Sequence, residues 1–440
     1  MTGRIPRLLF SLCAAILLAA IPAESNAQDL LIVGANIVDP EAQTVTHASL
    51  LIRDGRVVEI GADIEAPNGV GTLDANGRWV VPGLFDLHTH SFGNFAVDGA
   101  SGMLGTVGVA EVALRAGVTG FLDLFGMEDL ILGQRNQQRA GELGGADIYA
   151  SGPCLTATEG HCSEYGVPTR LVDSPDDARR QVGELAAKNP DVVKLVYDHQ
   201  EYGGRTMPTV DRSTMEAVVA AAHDHGLKAV LHVGTWQDLT EAVEAGADAV
   251  THTPGPDPVP AGLAALMVDR GTVHIPTLAV QSETGRIYED QSLLDRPLLA
   301  EVVASDVIDG YRNPDEWPDQ LKSFVEWGRP LRDANLEAVG ALAAAGVLMA
   351  TGTDAGNPGV FQGYSVHREM ELLVEAGLSE WDALAAATAV PSTFLGAEWG
   401  VGLGDEATLV LLDASPLEAI ANTQRIHAVV QRGVVVTQPQ

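Results

Sequence analysis

The sequence predicts an α/β chain, a (β/α)8 TIM barrel carrying a small β-sandwich domain built from its N- and C-terminal segments. Three observations predict it. Apolar runs at 79–87, 118–124, 146–150, 191–196, 228–232, 247–251, 273–276 and 347–351 recur with mostly helical patterns between them. Ala-rich amphipathic segments end at Gly226, Gly246 and Gly346, each just before one of those runs, which sets a helix-then-strand order. On either side of this region, 30–81 and the stretch after Gly400 read as short strands punctuated by Gly, Asn and Asp.

Taken in order, Arg4 and Arg7 precede an apolar stretch from 8 to 21 and then polar residues ending in Ala27. Those are the three regions of a secretory signal, so 1–27 is expected to be cleaved and the mature protein to be periplasmic or secreted. The stretch is shorter than the roughly 20 residues a bilayer span needs, which argues against a stable membrane span. Leu12 before Cys13 is too large to favour lipoprotein processing. Residues 28–80 and 398–440 form the composite β-sandwich, with a turn at Asp54-Gly55, and 81–397 form the barrel. The charged, aromatic-rich stretch 277–330 is expected to hold extra helices over or beside the barrel mouth.

Composition narrows the function. Of 440 residues, 26 are Lys or Arg and 59 are Asp or Glu, a formal charge of −33. That field repels phosphate backbones and excludes nucleic acid as a partner, leaving a small-molecule substrate and room for a homo-oligomer. Removal of 1–27 leaves Cys154 and Cys162 in an oxidising compartment, where a short-loop disulfide and two separate thiols both remain open.

In a (β/α)8 barrel the carboxyl ends of the strands converge on one face. Strand 1 ends in Asp86-Leu87-His88-Thr89-His90, and a period of two puts His88 and His90 on one side, the spacing for two imidazoles to grip one metal. Strand 4 carries Lys194 inside an apolar run, strand 5 ends in His232, strand 6 in His252, and strand 8 in Thr351-Gly352-Thr353-Asp354. Lys194 is one of only four lysines. A buried ammonium near cations is strongly disfavoured, so this amine is expected to be neutral or chemically converted.

These residues resemble the amidohydrolase superfamily. The run 81–90, Val-Pro-Gly-Leu-Phe-Asp-Leu-His-Thr-His, is similar to its opening motif, and 115–119, 151–153 with Gly160-His161, and 409–433 are similar to later ones. The likeness covers nearly the whole mature chain and is nearest to the imidazolonepropionase-like branch, among members with a strand-4 lysine: prolidase-like dipeptidases, N-acyl amino acid carboxypeptidases and ochratoxinase-like amidases. At 407–410 the family's usual Ala-Asp-Leu-Val is Ala-Thr-Leu-Val, in the β domain away from the site.

The resemblance implies two divalent metal ions, commonly zinc, bridged by a carboxylated Lys194 formed with CO2. His88, His90, Lys194 and Asp354 would hold one ion, and His232, His252 and Lys194 the other. A metal-bridging hydroxide would attack the amide of a dipeptide or N-acyl amino acid, with Asp354 as proton shuttle. His161 resembles the family's substrate-contacting position. Tyr197 is a candidate oxyanion donor, and His199 and Arg205 are lesser candidates for a substrate carboxylate. A cyclic amide, lactone or other ester is the alternative substrate. A mononuclear deaminase-like enzyme and a metal-bearing binding protein without turnover are the competing classes. His223 and His225 end a helix on the opposite face and are set aside, as are His47 and His427 in the β domain and His367 in the helix after strand 8.

Overall fold

The computed structural model describes residues 29–97, 102–202 and 205–437. The proposed signal lies outside them. Among the described residues no helix is long and apolar enough to cross a membrane.

The terminal segments meet in one eight-stranded sheet. Leu30–Asp39, Thr44–Arg53, Arg56–Gly61, Gly71–Asp74 and Trp79–Pro82 come from the N-terminal side, and Leu409–Leu412, Ile426–Gln431 and Val434–Thr437 from the C-terminal side. The hairpin at Asp54-Gly55 has positive φ at both residues, 49° and 74°, as a tight turn matched to the strand twist requires. Ala407 N donates to Gly55 O, Gly404 N to Val57 O and Val57 N to Asp405 O, which brings the edge back, so the sheet encloses its own core of Ile32, Leu50, Ile52, Leu409 and Val430.

The run 79–87, expected as a single barrel strand, is two strands. Trp79–Pro82 pairs with Leu409–Leu412 in the terminal sheet, and Leu84–Thr89 opens the barrel. Gly83 is the break. A Cβ there would stand 2.0 Å from Thr119 Oγ1, so the chain passes the second barrel strand too closely for any side chain.

The barrel continues with parallel strands Val118–Asp123, Asp147–Ala150, Val192–Tyr197, Lys228–Val233, Ala249–Thr251 and Val273–Ile275. The eighth position, around Met349, joins by a bridge to His274 and by Leu87 N donating to Thr351 O at 2.9 Å. Leu87, Leu122, Val192, Val230, Ile275 and Ala350 fill the interior. Burying each larger aliphatic side chain contributes about 1.5–3 kcal/mol, enough in sum to hold the closure. The helix Arg212–Asp224 starts on an Asp211 cap, and Trp236–Ala245 on a Thr235/Asp238 capping box. Gly226, Gly246 and Gly346 take the left-handed conformations expected of helix stops, with φ of 70°, 94° and 91°.

The long stretch before strand 8 holds the helices Leu278–Glu289, Pro297–Val302, Ser305–Tyr311 and Asp319–Ala344. They build a separate apolar cluster beside the barrel mouth. Tyr311 joins this cluster to two mouth loops, donating to Phe95 O at 2.7 Å and accepting from Gly359 N at 2.9 Å.

Candidate metal centre

The first barrel strand delivers His88, and His90 follows one residue past its end. The ladder to the second strand shifts register between Asp86 and Thr89, so a local irregularity helps aim the pair. Asp86 holds that irregularity. Its carboxylate accepts from His88 N (3.1 Å), Thr353 N (3.0 Å) and Thr353 Oγ1 (2.6 Å), which ties strand 1 to the residue before Asp354. Burial pushes its carboxyl up to about 7. Gly352 permits the approach, since a Cβ there would stand 2.2 Å from Ile275 Cγ2.

Asp354 Oδ1 lies 2.8 Å from His90 Nε2 and 3.4 Å from His88 Nε2. The His252 ring is 5.0 Å from that of His88 and 4.3 Å from that of His232. One ligand atom each from His88, His252 and Asp354 lie within 4.8 Å of one another. Lys194, 2% exposed, donates from Nζ to Thr251 Oγ1 at 3.0 Å, one residue before His252. His161 reaches the same ring of side chains, its centroid 5.0 Å from that of His232. His252 and Asp354 both have left-handed backbones, with φ of 72° and 58°. Each such non-glycine residue costs of order 1–3 kcal/mol and persists only where its surroundings over-determine it.

Burial disfavours charge on His88 and His252 and holds both well below the ordinary histidine range; His232 is lowered for the same reason. His90 is also penalised by burial, but the adjoining Asp354 carboxylate outweighs this and raises it. Asp354 is kept well below the usual carboxylate range because His88 and His90 overcome its burial. Burial brings Lys194 down to about 8. His161 is raised to about 9, its burial outweighed by the Glu164 carboxylate 2.7 Å away.

The residues fit a metal. Asp354 Oδ1 is buried without a hydrogen-bond partner and faces Nε2 of both His88 and His90, an arrangement that is costly unless an ion completes it. Neutral imidazoles with a carboxylate are the donors divalent transition ions take.

Other ring nitrogens are anchored by residues the sequence did not single out. His232 Nε2 is 3.2 Å from Asp198 Oδ2, and His252 Nδ1 is 2.7 Å from Thr277 Oγ1. Thr277, with φ 52°, begins the helix Leu278–Glu289, and buried Glu369 caps that helix by accepting from Leu278 N (2.9 Å) and Ala279 N (2.7 Å). Asp123, at the end of strand 2, accepts from Ser91 N at 2.7 Å and Phe125 N at 2.9 Å, fixing the turn after His90. Burial of these carboxylates, invisible in a single sequence, is their signature.

Tyr197 is not brought to the site. It stands three residues from Lys194 on the same strand and packs among the outer barrel residues, its hydroxyl donating to Glu241. Its hydroxyl is thus directed to the helix Trp236–Ala245 and away from the histidine cluster that an oxyanion donor would face. His199 is held by Asp238 at 2.6 Å and is half exposed, and the side chain of Arg205 lies outside the described residues. His223 pairs with Asp248 at the far end of the barrel, and His367 is buried between Thr423 and Ala116 O. Cys154 and Cys162 are free thiols in one apolar cluster with Phe125 and Val196, so of the two arrangements open to them the disulfide is not formed.

A family profile described as Amidohydrolase family matches residues 79–436. A dihydroorotase of Citrifermentans bemidjiense is 42% identical over 62 residues, 14% of this chain, and the match spans only 15% of that relative's length. Among solved structures, a prolidase complexed with N-methylphosphonate-L-proline is similar over 94% of this chain and 100% of its own, at TM-score 0.75 and 23% identity. The ochratoxinase of A. niger is similar over 93% and 95%, at TM-score 0.71 and 20% identity. At such identities the structural likeness establishes the fold.

Proposed function

Because the chain belongs to the amidohydrolase family, we propose that it is a hydrolase of carbon–nitrogen bonds that cleaves the amide of a dipeptide or N-acyl amino acid. The observation that carries this is the convergence of His88, His90, His232, His252 and Asp354 at the barrel mouth, with buried Lys194 bonded to Thr251 beside His252. A prolidase and an ochratoxinase share this fold, which is consistent with that reading. The N-terminal signal pattern supports export to the periplasm or beyond, which suits scavenging.

His88, His90 and Asp354 would hold one ion and His232 and His252 a second, zinc being the ion such donors favour. Lys194 would bridge them after carboxylation. Its neutral amine would attack CO2, the nitrogen–carbon bond forming as one C=O π pair moves onto oxygen and the attacking nitrogen losing a proton to solvent, to give a carbamate with two oxygens. The lowering of Lys194 to about 8 supplies neutral amine near physiological pH. With Nε2–H of His232 donated to Asp198 and Nδ1–H of His252 to Thr277, each ring keeps one lone pair for a metal. When bound, the ions supply carbonyl polarisation and a water acidified to near neutrality. Asp354 takes the proton of that attacking water and passes it to the leaving amine. His161, cationic beside Glu164, donates to the substrate's carbonyl or carboxylate oxygen.

A panel of dipeptides and N-acyl amino acids, set beside lactones, cyclic amides and aminopurines, tests this on the zinc-loaded mature chain. Release of free amino acid from the linear amides is expected. Turnover confined to cyclic amides, lactones or ammonia release would contradict it.

A further inference from the structure

Between the two histidine groups, the site is walled by aromatic rings that the hydrolytic chemistry does not use. Phe125 follows the second barrel strand with its ring 6.0 Å from that of His90, at an interplanar angle of 88°. Tyr165 continues the arc, 6.3 Å from Phe125 and 5.7 Å from His161. Phe92 backs the wall at 6.3 Å from Phe125. Behind these rings lie Cys154, Cys162 and Val196, so the wall is apolar in depth. Its outer member is different. Tyr165 sits on the short turn Ser163–Tyr165, between Cys162 (φ 83°) and Gly166 (φ 73°), and remains 59% exposed despite its contacts with Phe125 and His161.

We propose that the exposed ring of Tyr165, backed by the buried Phe125, forms an aromatic subsite that selects substrates carrying an aromatic ring next to the scissile amide. The proposal rests on the amidase reading for the identity of the bond and on the ring arc for the side chain. The exposed Tyr165 ring, inclined at 56° to Phe125, presents a face against which a substrate ring packs better than a small aliphatic group does.

The test uses benzylphosphonate and methylphosphonate, anions that share a metal-seeking head and differ by a phenyl ring, binding to the zinc-loaded protein. Benzylphosphonate is expected to bind about tenfold more tightly. Tyr165→Ala should cut that ratio by about threefold or more, and Tyr165→Phe should restore it. Equal affinities in the wild type, or a ratio untouched by Tyr165→Ala, would overturn the subsite. Turnover of N-phenylacetyl against N-acetyl amino acids is followed in parallel. No turnover with the phosphonate preference intact would sink the amidase reading while supporting the aromatic subsite.

Discussion

Asp354→Asn is expected to lower kcat/KM by about 10²–10⁴-fold, the range a positioned general acid–base group contributes. The substitution keeps the side chain's shape but removes its capacity to take a proton. Asp354 is placed for that task by its own backbone, with φ 58°, and by Thr353, which Asp86 grips through both N and Oγ1. Its Oδ1 faces His88 and His90 without hydrogen-bond alignment to either, so the oxygen is committed to the metal side of the site. Steady-state kinetics with zinc in excess, alongside metal content and the thermal midpoint, separate lost proton transfer from lost metal. Near wild-type turnover in Asp354→Asn would remove this residue from the chemistry.

Stripping the metal should abolish hydrolysis and lower the unfolding midpoint by several degrees, with both recovered when zinc is returned. A ligand present at about 1,000 times its Kd stabilises the folded state by about 4 kcal/mol. The site is built to gain such a term. Asp354 Oδ1 is buried without a partner between two imidazole nitrogens, and two of the proposed ligands, His252 and Asp354, have left-handed backbones. Calorimetry of the chelator-treated and zinc-restored protein, with activity in the same samples, measures both effects. A midpoint and activity indifferent to metal would contradict the assignment of the centre.

Much of the barrel and its centre was legible because the features are local. Strand ends in His88, His90, His232, His252 and Asp354 mark one face by the geometry of parallel barrels alone, and Lys194 stands out as a charge inside an apolar run. The glycine stops and the Asp54-Gly55 turn follow from backbone sterics. Tyr197 was misplaced for a local reason too. It is an odd number of residues from Lys194, so alternation along the strand turns it to the outer face. The break at Gly83 depends on Thr119 in the neighbouring strand, and periodicity within the run carries no trace of it. The supports of the site were hidden for the same reason. Asp198 reaches His232 from 34 residues away, and Glu369 caps its helix from about 90, so both needed the fold before their burial acquired meaning.

Metal content per chain, determined by elemental analysis on wild type and Lys194→Ala prepared with bicarbonate, tests the bridged centre most directly. The account predicts about two ions in the wild type, falling to one or none in the variant, with hydrolysis of N-acyl amino acids lost. One ion in both proteins, with Lys194→Ala still active, would contradict it and leave a mononuclear site with an unmodified lysine.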